Sequence, residues 1–115
     1  MSARIEAGRL YAADLNPRRG TEPGKVRAVL VVQSDLLNEV GHASTVILPC
    51  TTRLTGESLL RVQLPKGIAG NRLECEVMVD QVRAVDNRRL RRQLGKVPRP
   101  VLLEVREKLR RLLDL

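Results

Sequence analysis

The stretch from Gly24 to Val32 reads Gly-Lys-Val-Arg-Ala-Val-Leu-Val-Val, a charged loop end that runs directly into an almost unbroken apolar strand. Continuous apolar runs are typical of strands that are buried on both faces, so this strand is predicted to lie in the middle of a sheet. Arg27 stands at its entrance. A guanidinium on such a rigid element is held in a defined position, as a catalytic or binding group requires. The stretch therefore predicts the centre of the fold and one candidate functional residue.

Further strand signals lie on either side of this stretch. Each is a short run of β-branched or alternating apolar residues, bounded by Gly, Pro or Asn. They cover Gly8 to Leu15, Thr45 to Thr52, Leu60 to Leu64, and Cys75 to Val85. In the last run the apolar positions change phase near Asp80-Gln81, which predicts a bulge or a break there. Pro49 should likewise disturb strand pairing just before Thr51.

The remaining segments predict loops and helices. The ten residues 16–25 contain two Pro and two Gly and form a long loop, which is more often functional than idle. Ser34 or Asp35 is expected to cap one helical turn. Asp86 is expected to cap a short basic helix at Asn87–Gln93, with an edge strand at residues 94–97. A final amphipathic helix follows Pro98, with apolar residues at a period of 3.6: Val101, Leu102, Val105, Leu109, Leu112 and Leu113.

Composition narrows the class of protein. The 115 residues predict one domain, 1–115, with Tyr11 as its only aromatic residue. Modules that stack bases on an aromatic platform are therefore disfavoured. The 21 Lys and Arg exceed the 13 Asp and Glu, and the formal net charge of +8 predicts a polyanionic partner. Eleven of the basic residues lie from Arg83 onward, so the excess is clustered.

The two cysteines and the lack of an apolar run long enough to span a membrane indicate the cellular compartment. Cys50 and Cys75 stand in apolar runs without metal-ligand spacing, so reduced buried thiols are predicted, with a disulfide as the alternative. The first residues do not read as a signal peptide, and no apolar run reaches the length of a membrane span. We therefore expect a cytoplasmic protein that does not bind a membrane.

The residue types present exclude several chemistries and favour one. His42 is the only histidine, and neither a metal-ligand cluster nor a nucleotide-binding glycine motif is present, so no metal or cofactor is predicted. Arg, Thr and Glu suit phosphodiester chemistry on RNA, because RNA carries its own 2′-hydroxyl nucleophile. Arg stabilises charge on phosphate oxygens, and Thr offers a hydroxyl donor or acceptor. Arg is a poor base, but Glu22, if it lies near the site, could take the proton and its charge could also fix the guanidinium.

Each candidate also has a structural interpretation. Arg27 on its own is more often a strand-end arginine paired with a carboxylate, and Thr51 an ordinary strand threonine. Gln81 could satisfy a bulge, and the basic run from Arg88 to Arg92 could be a solvated helix face. The residues alone therefore leave both interpretations open.

Four stretches in order resemble the MazF/PemK (Kid) family of toxin endoribonucleases from bacterial toxin–antitoxin systems. Together they cover almost the whole chain. They are GRLYAADLNPRRGTEPG at 8–24, RAVLVV at 27–32, VILPCTT at 46–52 and DQVRAVDNRRL at 80–90.

The resemblance implies a mainly β fold with α: a small, SH3-like, curved antiparallel β-barrel with short helices and a C-terminal amphipathic helix. It also implies a homodimer that cleaves single-stranded RNA at short specific sequences without a metal. An acidic MazE-like antitoxin would block this activity. The products would be 2′,3′-cyclic phosphate and 5′-hydroxyl ends. By resemblance Arg27 and Thr51 are catalytic and Glu22 is the acidic residue of the first loop. Residues that hold RNA would be Arg19, Ser34 and Gln81.

The chain departs from the family pattern at a few positions. Ala28 replaces the usual proline after the catalytic arginine, which leaves the backbone at Arg27 less rigid. Arg9 replaces an aspartate and is expected to alter a loop contact. Pro23 and Ser34 differ at recognition positions and affect the expected cleavage sequence. Two alternatives remain: a non-catalytic toxin of the same fold that binds DNA gyrase, and a module that binds RNA or antitoxin without cutting.

Overall fold

Seven strands and two helices make up the part of the chain that the computed structural model describes, residues 4–17, 19–21 and 25–115. The strands are β1 (Arg9–Asp14), β2 (Val26–Val31), β3 (Ser44–Thr51), β4 (Arg61–Leu64), β5 (Cys75–Met78), β6 (Arg83–Asp86) and β7 (Leu90–Lys96). The helices are α1 (Asp35–Glu39) and α2 (Arg99–Leu113), with short 3-10 turns at Val79–Gln81 and Asn87–Arg89. Neither helix has the length and apolar character that crossing a membrane would need.

The strands form one antiparallel sheet in the order β4-β5-β3-β2-β1-β7, with β6 paired to β3 beside this path. The apolar strand β2 lies between β1 and β3, as predicted. The sheet stays open between β4 and β7, and it is compatible with a curved, barrel-like fold. The predicted mainly β architecture with a C-terminal helix is confirmed.

Both faces of the central strands are buried, which explains the continuous apolar run. One face, with Leu10, Leu30 and Leu48, packs under α2, whose Val105 is fully buried. The other face, with Val29 and Val31, forms a second cluster that contains the ring of Tyr11. The two faces of β2 therefore contribute to two separate apolar clusters.

Strand β3 pairs with different strands along its length. It pairs with β2 from Ile47 to Pro49, and on its other edge with β6 from Ser44 to Ile47. From Cys50 it pairs with β5 instead. Proline has no N–H to contribute to a ladder, so the predicted disturbance at Pro49 coincides with the end of the β2 pairing.

The predicted break near Asp80-Gln81 is confirmed, because β5 ends at Met78 and β6 starts at Arg83. The predicted cap of the first helix is also confirmed: Ser34 Oγ accepts a hydrogen bond of 3.1 Å from the amide of Leu36. On α2 the predicted apolar face reaches only to Leu109, since Leu112 and Leu113 of the last turn are exposed.

The basic helix expected at Asn87–Gln93 is wrong. Asp86 caps only the 3-10 turn at Asn87–Arg89, and the following residues form β7 along the edge of β1. Leu90 and Leu94 are four residues apart, which resembles helical spacing. A register shift lies in the β1–β7 ladder beside Leu90, and the two leucines pack against opposite clusters. The irregular strand β7 therefore shows the same spacing of apolar residues as a helical turn.

Candidate active site

Arg27 is the second residue of β2, and its backbone is held by the central sheet. It lies opposite Ala13 of β1, and the next pair along the ladder is Ala28 with Ala12. The guanidinium is partly buried, and its Nη1 donates a hydrogen bond of 3.2 Å to the carbonyl of Cys50 at the end of β3. Strand pairing thus fixes the backbone at Arg27, although Ala28 stands where the family pattern described above has a proline.

Thr51 reaches the same place from β3. The β2–β3 register pairs Val29 with Pro49, and two further residues along this register would place Arg27 opposite Thr51. Thr51 Oγ1 accepts a hydrogen bond of 3.1 Å from the amide of Arg53. A hydroxyl has one donor and two acceptor positions, so this contact leaves the proton of Thr51 able to point at another acceptor.

Arg27 and Thr51 border one cleft of about 410 Å³, which we call the central cleft. It lies where β2 and β3 separate. Its walls come from residues 25–28 with Ala12, from residues 50–52 at the end of β3, from residues 70–73 with Cys75, and from Arg92 and Leu94 of β7. The sheet therefore brings together residues that are 65 positions or more apart in the sequence.

Small residues line part of the central cleft. Ala12 pairs with Ala28 on one side and with Arg92 on the other, so the three residues form a row across β2, β1 and β7. Directly paired residues project from the same face of a sheet. Two methyl groups thus leave room beside the exposed guanidinium of Arg92.

The charge of the central cleft is positive. Lys25, Arg72 and Arg92 border it together with Arg27, and no Asp or Glu is among the described residues that do so. The side chains of Lys25, Arg72 and Arg92 have no carboxylate partner within the described ranges. Lys25, Arg72 and Arg92, which lack a carboxylate partner among the described side chains, favour a polyanionic ligand.

A buried carboxylate supports the loop that follows Thr51. Glu76, fully buried, lies opposite Thr51 on β5. Its oxygens accept hydrogen bonds from the amides of Thr55 (2.9 Å) and Gly56 (2.8 Å), and from Thr55 Oγ1 (3.1 Å). They also pair with Arg61 Nη1 at 2.9 Å.

The hydrogen bonds of Glu76 determine its ionisation. Burial acts to raise the pKa of Glu76, but hydrogen bonds from the amides of Gly56 and Thr55, and from the side chains of Gln63 and Thr55, outweigh it and lower the pKa to about 2. The carboxylate is therefore ionised at neutral pH and holds the Thr55–Gly56 turn.

The other predicted site residues do not join Arg27 and Thr51. Ser34 caps α1, Gln81 ends the 3-10 turn between β5 and β6, and Arg19 is exposed in the first loop. None of the three borders the central cleft. Glu22 and Pro23 lie outside the described residues. The roles of Arg19, Ser34, Gln81 and Glu22 stay predictions.

Three arginines take roles that the sequence did not indicate. Arg89 donates through Nη1 to the carbonyls of Asp14 and Asn16, which fastens the end of β1 to the turn before β7. Arg9 donates to the carbonyl of Leu94 on β7 at 2.7 Å and pairs with Glu6. Arg92 borders the cleft. This position beside the cleft follows from the location of Arg92 on strand β7, where the sequence had predicted a helix.

No three His, Cys, Asp or Glu side chains come together as potential metal ligands in residues 4–17, 19–21 and 25–115.

Comparison with known proteins identifies a family. The protein-family model described as PemK-like, MazF-like toxin of type II toxin–antitoxin system matches residues 6–113. Endoribonuclease MazF2 of Mycobacterium bovis is 34% identical over 113 residues, covering 96% of this chain and 98% of the relative. Endoribonuclease MazF9 of Mycobacterium tuberculosis is 29% identical over 115 residues, covering 96% and 98%.

Solved structures agree with the sequence relatives. The crystal structure of MazF from Deinococcus radiodurans is 32% identical, with a TM-score of 0.86 over 99% of this chain and 100% of that one. A MazE–MazF structure from the same organism is 31% identical, with a TM-score of 0.80 over 99% of each chain. With its open antiparallel sheet, C-terminal helix and cation-rich cleft, this chain belongs to the family of PemK-like, MazF-like toxins of type II toxin–antitoxin systems.

Proposed function

We propose that this protein is an endoribonuclease that cleaves single-stranded messenger RNA at short specific sequences by transesterification through the 2′-hydroxyl. The observation that carries the proposal is the meeting of the Arg27 guanidinium and Thr51 in one cleft that gathers cations and no described carboxylate. The names of the similar proteins, endoribonucleases MazF2 and MazF9, support cleavage of RNA.

The proposed reaction uses the substrate's own nucleophile. The 2′-oxygen forms a bond to phosphorus, the bond to the 5′-oxygen breaks, and a 2′,3′-cyclic phosphate and a 5′-hydroxyl result. Arg27 stabilises the negative charge that grows on the phosphate oxygens. Thr51 donates its proton to a phosphate oxygen, since its own oxygen already accepts from Arg53.

Two proton transfers complete the reaction. One proton leaves the 2′-hydroxyl and one reaches the departing 5′-oxygen. Guanidinium groups hold their protons too tightly to act as the base. Glu22 remains our candidate for this role, and its charge would also orient Arg27. Neither step requires a metal or an organic cofactor.

Arg92 is proposed to hold a phosphate of the RNA beside the scissile one, because it is exposed, borders the cleft and has no partner among the described side chains. Arg92→Gln should weaken binding of a 2′-O-methyl RNA, which lacks the nucleophile, by roughly threefold to tenfold. The slope of log affinity against log salt should fall by about 0.7, as for one lost phosphate contact on a single strand. Fluorescence anisotropy at several salt concentrations measures both.

Arg110→Gln is the matched control for this prediction. It removes the same charge from an exposed position of α2 that does not border the cleft. Equal losses in the two variants would mean that Arg92 acts only through net charge, which would contradict a phosphate contact.

The proposed partners and location follow from the same chemistry. We propose that an acidic MazE-like antitoxin covers the cleft, since the chain carries a net charge of +8 and a MazE–MazF structure is among its relatives. A homodimer is proposed from the resemblance to the family. An enzyme that cuts messenger RNA would act in the cytoplasm, where we place it.

The decisive experiment incubates the purified protein with a long RNA in EDTA and sequences the new 5′ ends. We expect cleavage at one short recurrent sequence, 5′-hydroxyl ends, and 2′,3′-cyclic phosphates on the upstream fragments. Intact RNA would overturn the proposal, and inhibition of DNA gyrase by the same preparation would favour the non-catalytic alternative. Cleavage that stops in EDTA would contradict a metal-independent mechanism.

A further inference from the structure

Two cysteine thiols share the central cleft with Arg27 and Thr51. Cys50 lies on β3 and Cys75 on β5, and both border the cleft while remaining almost fully buried, with 2% and 3% of their surface exposed. Both are free cysteines. They are the only cysteines of the chain.

The strand register brings the two side chains together. Cys50 pairs with Val77, and Cys75 is two residues before Val77 on the same strand. Residues two apart on a strand project from the same face, so Cys50 and Cys75 are diagonal neighbours across one strand pair. They belong to the same apolar cluster.

The surroundings of Cys75 favour its thiolate. A hydrogen bond from Cys50 lowers the pKa of the Cys75 thiol, against opposing effects of burial and of the charges of Glu74 and Glu76. The amide of Asn71 lies 4.0 Å from its sulfur and donates towards it. The same interaction and burial raise the pKa of Cys50. The thiolate is the nucleophilic form of cysteine, and cations beside it favour that form.

We propose that Cys50 and Cys75 form a peroxide-sensitive dithiol site in the wall of the central cleft. The Cys75 thiolate attacks hydrogen peroxide and the O–O bond breaks, which gives a sulfenic acid and hydroxide. The hydroxide takes the proton that Cys75 released on ionising and becomes water. The Cys50 thiol then attacks the sulfenic sulfur, a second water leaves, and a disulfide results. Two electrons pass from the two sulfurs to one peroxide molecule.

Oxidation at this site would act on the proposed reaction, and this part of the inference rests on the proposed function. A disulfide fixes the two Cβ atoms about 3.8 Å apart, which would constrain the end of β3 against β5. The carbonyl of Cys50 holds Arg27, and Thr51 is its immediate neighbour. Displacement of these groups by even about 1 Å would lower the rate of cleavage by roughly tenfold or more.

The first test needs no RNA. The purified full chain is treated with hydrogen peroxide, free thiols are blocked, and digested peptides are examined by mass spectrometry. We expect a peptide pair joined through Cys50 and Cys75 with loss of two hydrogens, reversed by dithiothreitol. Two free thiols after treatment, or oxidation confined to disulfides between two chains, would overturn the proposal. This result is independent of whether the protein cleaves RNA.

Variants separate the two thiols. Cys50→Ser should stop at a sulfenic acid on Cys75, which dimedone captures, and Cys75→Ser should leave Cys50 unoxidised. The opposite pattern would overturn the assignment of Cys75 as the first nucleophile. If a serine variant does not fold, the wild-type dimedone adduct trapped at short times decides between the two sulfurs.

The second test compares RNA cleavage with and without peroxide within each variant. The wild type should lose activity on oxidation and regain it on reduction, and Cys75→Ser should show an unchanged ratio. A disulfide that forms without any change in cleavage would overturn the regulatory consequence. If neither reduced nor oxidised protein cleaves RNA, the proposed function fails, while the thiol count still decides whether the dithiol site exists.

Discussion

Replacement of Arg27 by alanine is expected to lower the rate of RNA cleavage by about 10² to 10³ fold, the usual effect of removing one donor that stabilises transition-state charge. The guanidinium borders the cleft from the beginning of the central strand β2, and the Cys50 carbonyl holds its Nη1 at 3.2 Å. Single-turnover cleavage with saturating enzyme isolates this chemical step. Growth arrest on expression should be lost in parallel.

Two control variants define what the loss means. Arg27→Lys keeps the charge but not the two-pronged donor geometry, so its rate should fall between those of the wild type and the alanine variant. Arg110→Ala removes an exposed arginine that does not border the cleft, and this variant should cleave like the wild type. Thermal unfolding must show that Arg27→Ala keeps its fold. Wild-type cleavage by a folded Arg27→Ala protein would remove Arg27 from the mechanism.

Replacement of Glu76 by glutamine is expected to destabilise the folded protein by about 3 kcal/mol, because the donors around the buried carboxylate lose their charged acceptor. The carboxylate is fully buried and accepts from Thr55, Gly56 and Arg61. Glutamine offers only one acceptor oxygen and places an N–H₂ group among donors. Urea unfolding monitored by circular dichroism measures the change, with an unchanged dependence on denaturant.

The pH dependence of stability provides a separate check on Glu76. Its pKa of about 2 in the folded protein lies below the ordinary value of 4.5. Its ionised form therefore stabilises the fold above about pH 4.5, and the contribution is lost as the pH falls from there towards 2. Glu76→Gln should lose less stability than the wild type over this interval.

Glu107→Gln is the matched control for both measurements. It removes the same charge from an exposed pair with Arg111 on α2, and such pairs contribute at most about 1 kcal/mol. If Glu76→Gln is no less stable than Glu107→Gln, the buried carboxylate does not hold the turn after Thr51.

Arg27 could be identified from the sequence because the signal is local. Charge beside a continuous apolar run marks a guanidinium at the end of a central strand, and the structure has β2 between β1 and β3. Because Ala28 replaces the proline of the family pattern, the sequence did not show what fixes the position of Arg27. Pairing with Ala13 and the bond to Cys50 give the answer, and both contacts come from other strands.

Glu76 and Arg92 could not be identified in the same way. Glu76 is one acidic residue in an apolar run, and only the fold shows the amides of Thr55 and Gly56 around it. Arg92 belongs to a basic run that was interpreted as a solvated helix face. The bulged pairing of β7 with β1 turns that segment into a strand and directs Arg92 to the cleft.

The sequence by itself determined strands β1 to β6, the C-terminal helix, the positive charge and the family, since periodicity, turn residues and short motifs are local properties of the chain. It did not determine β7, most of which was predicted as a helix. The tertiary structure decided which residues meet. Strand register alone brings Arg27, Thr51, Cys75 and Arg92 around one cleft, because pairing between distant strands depends on the packing of the whole sheet.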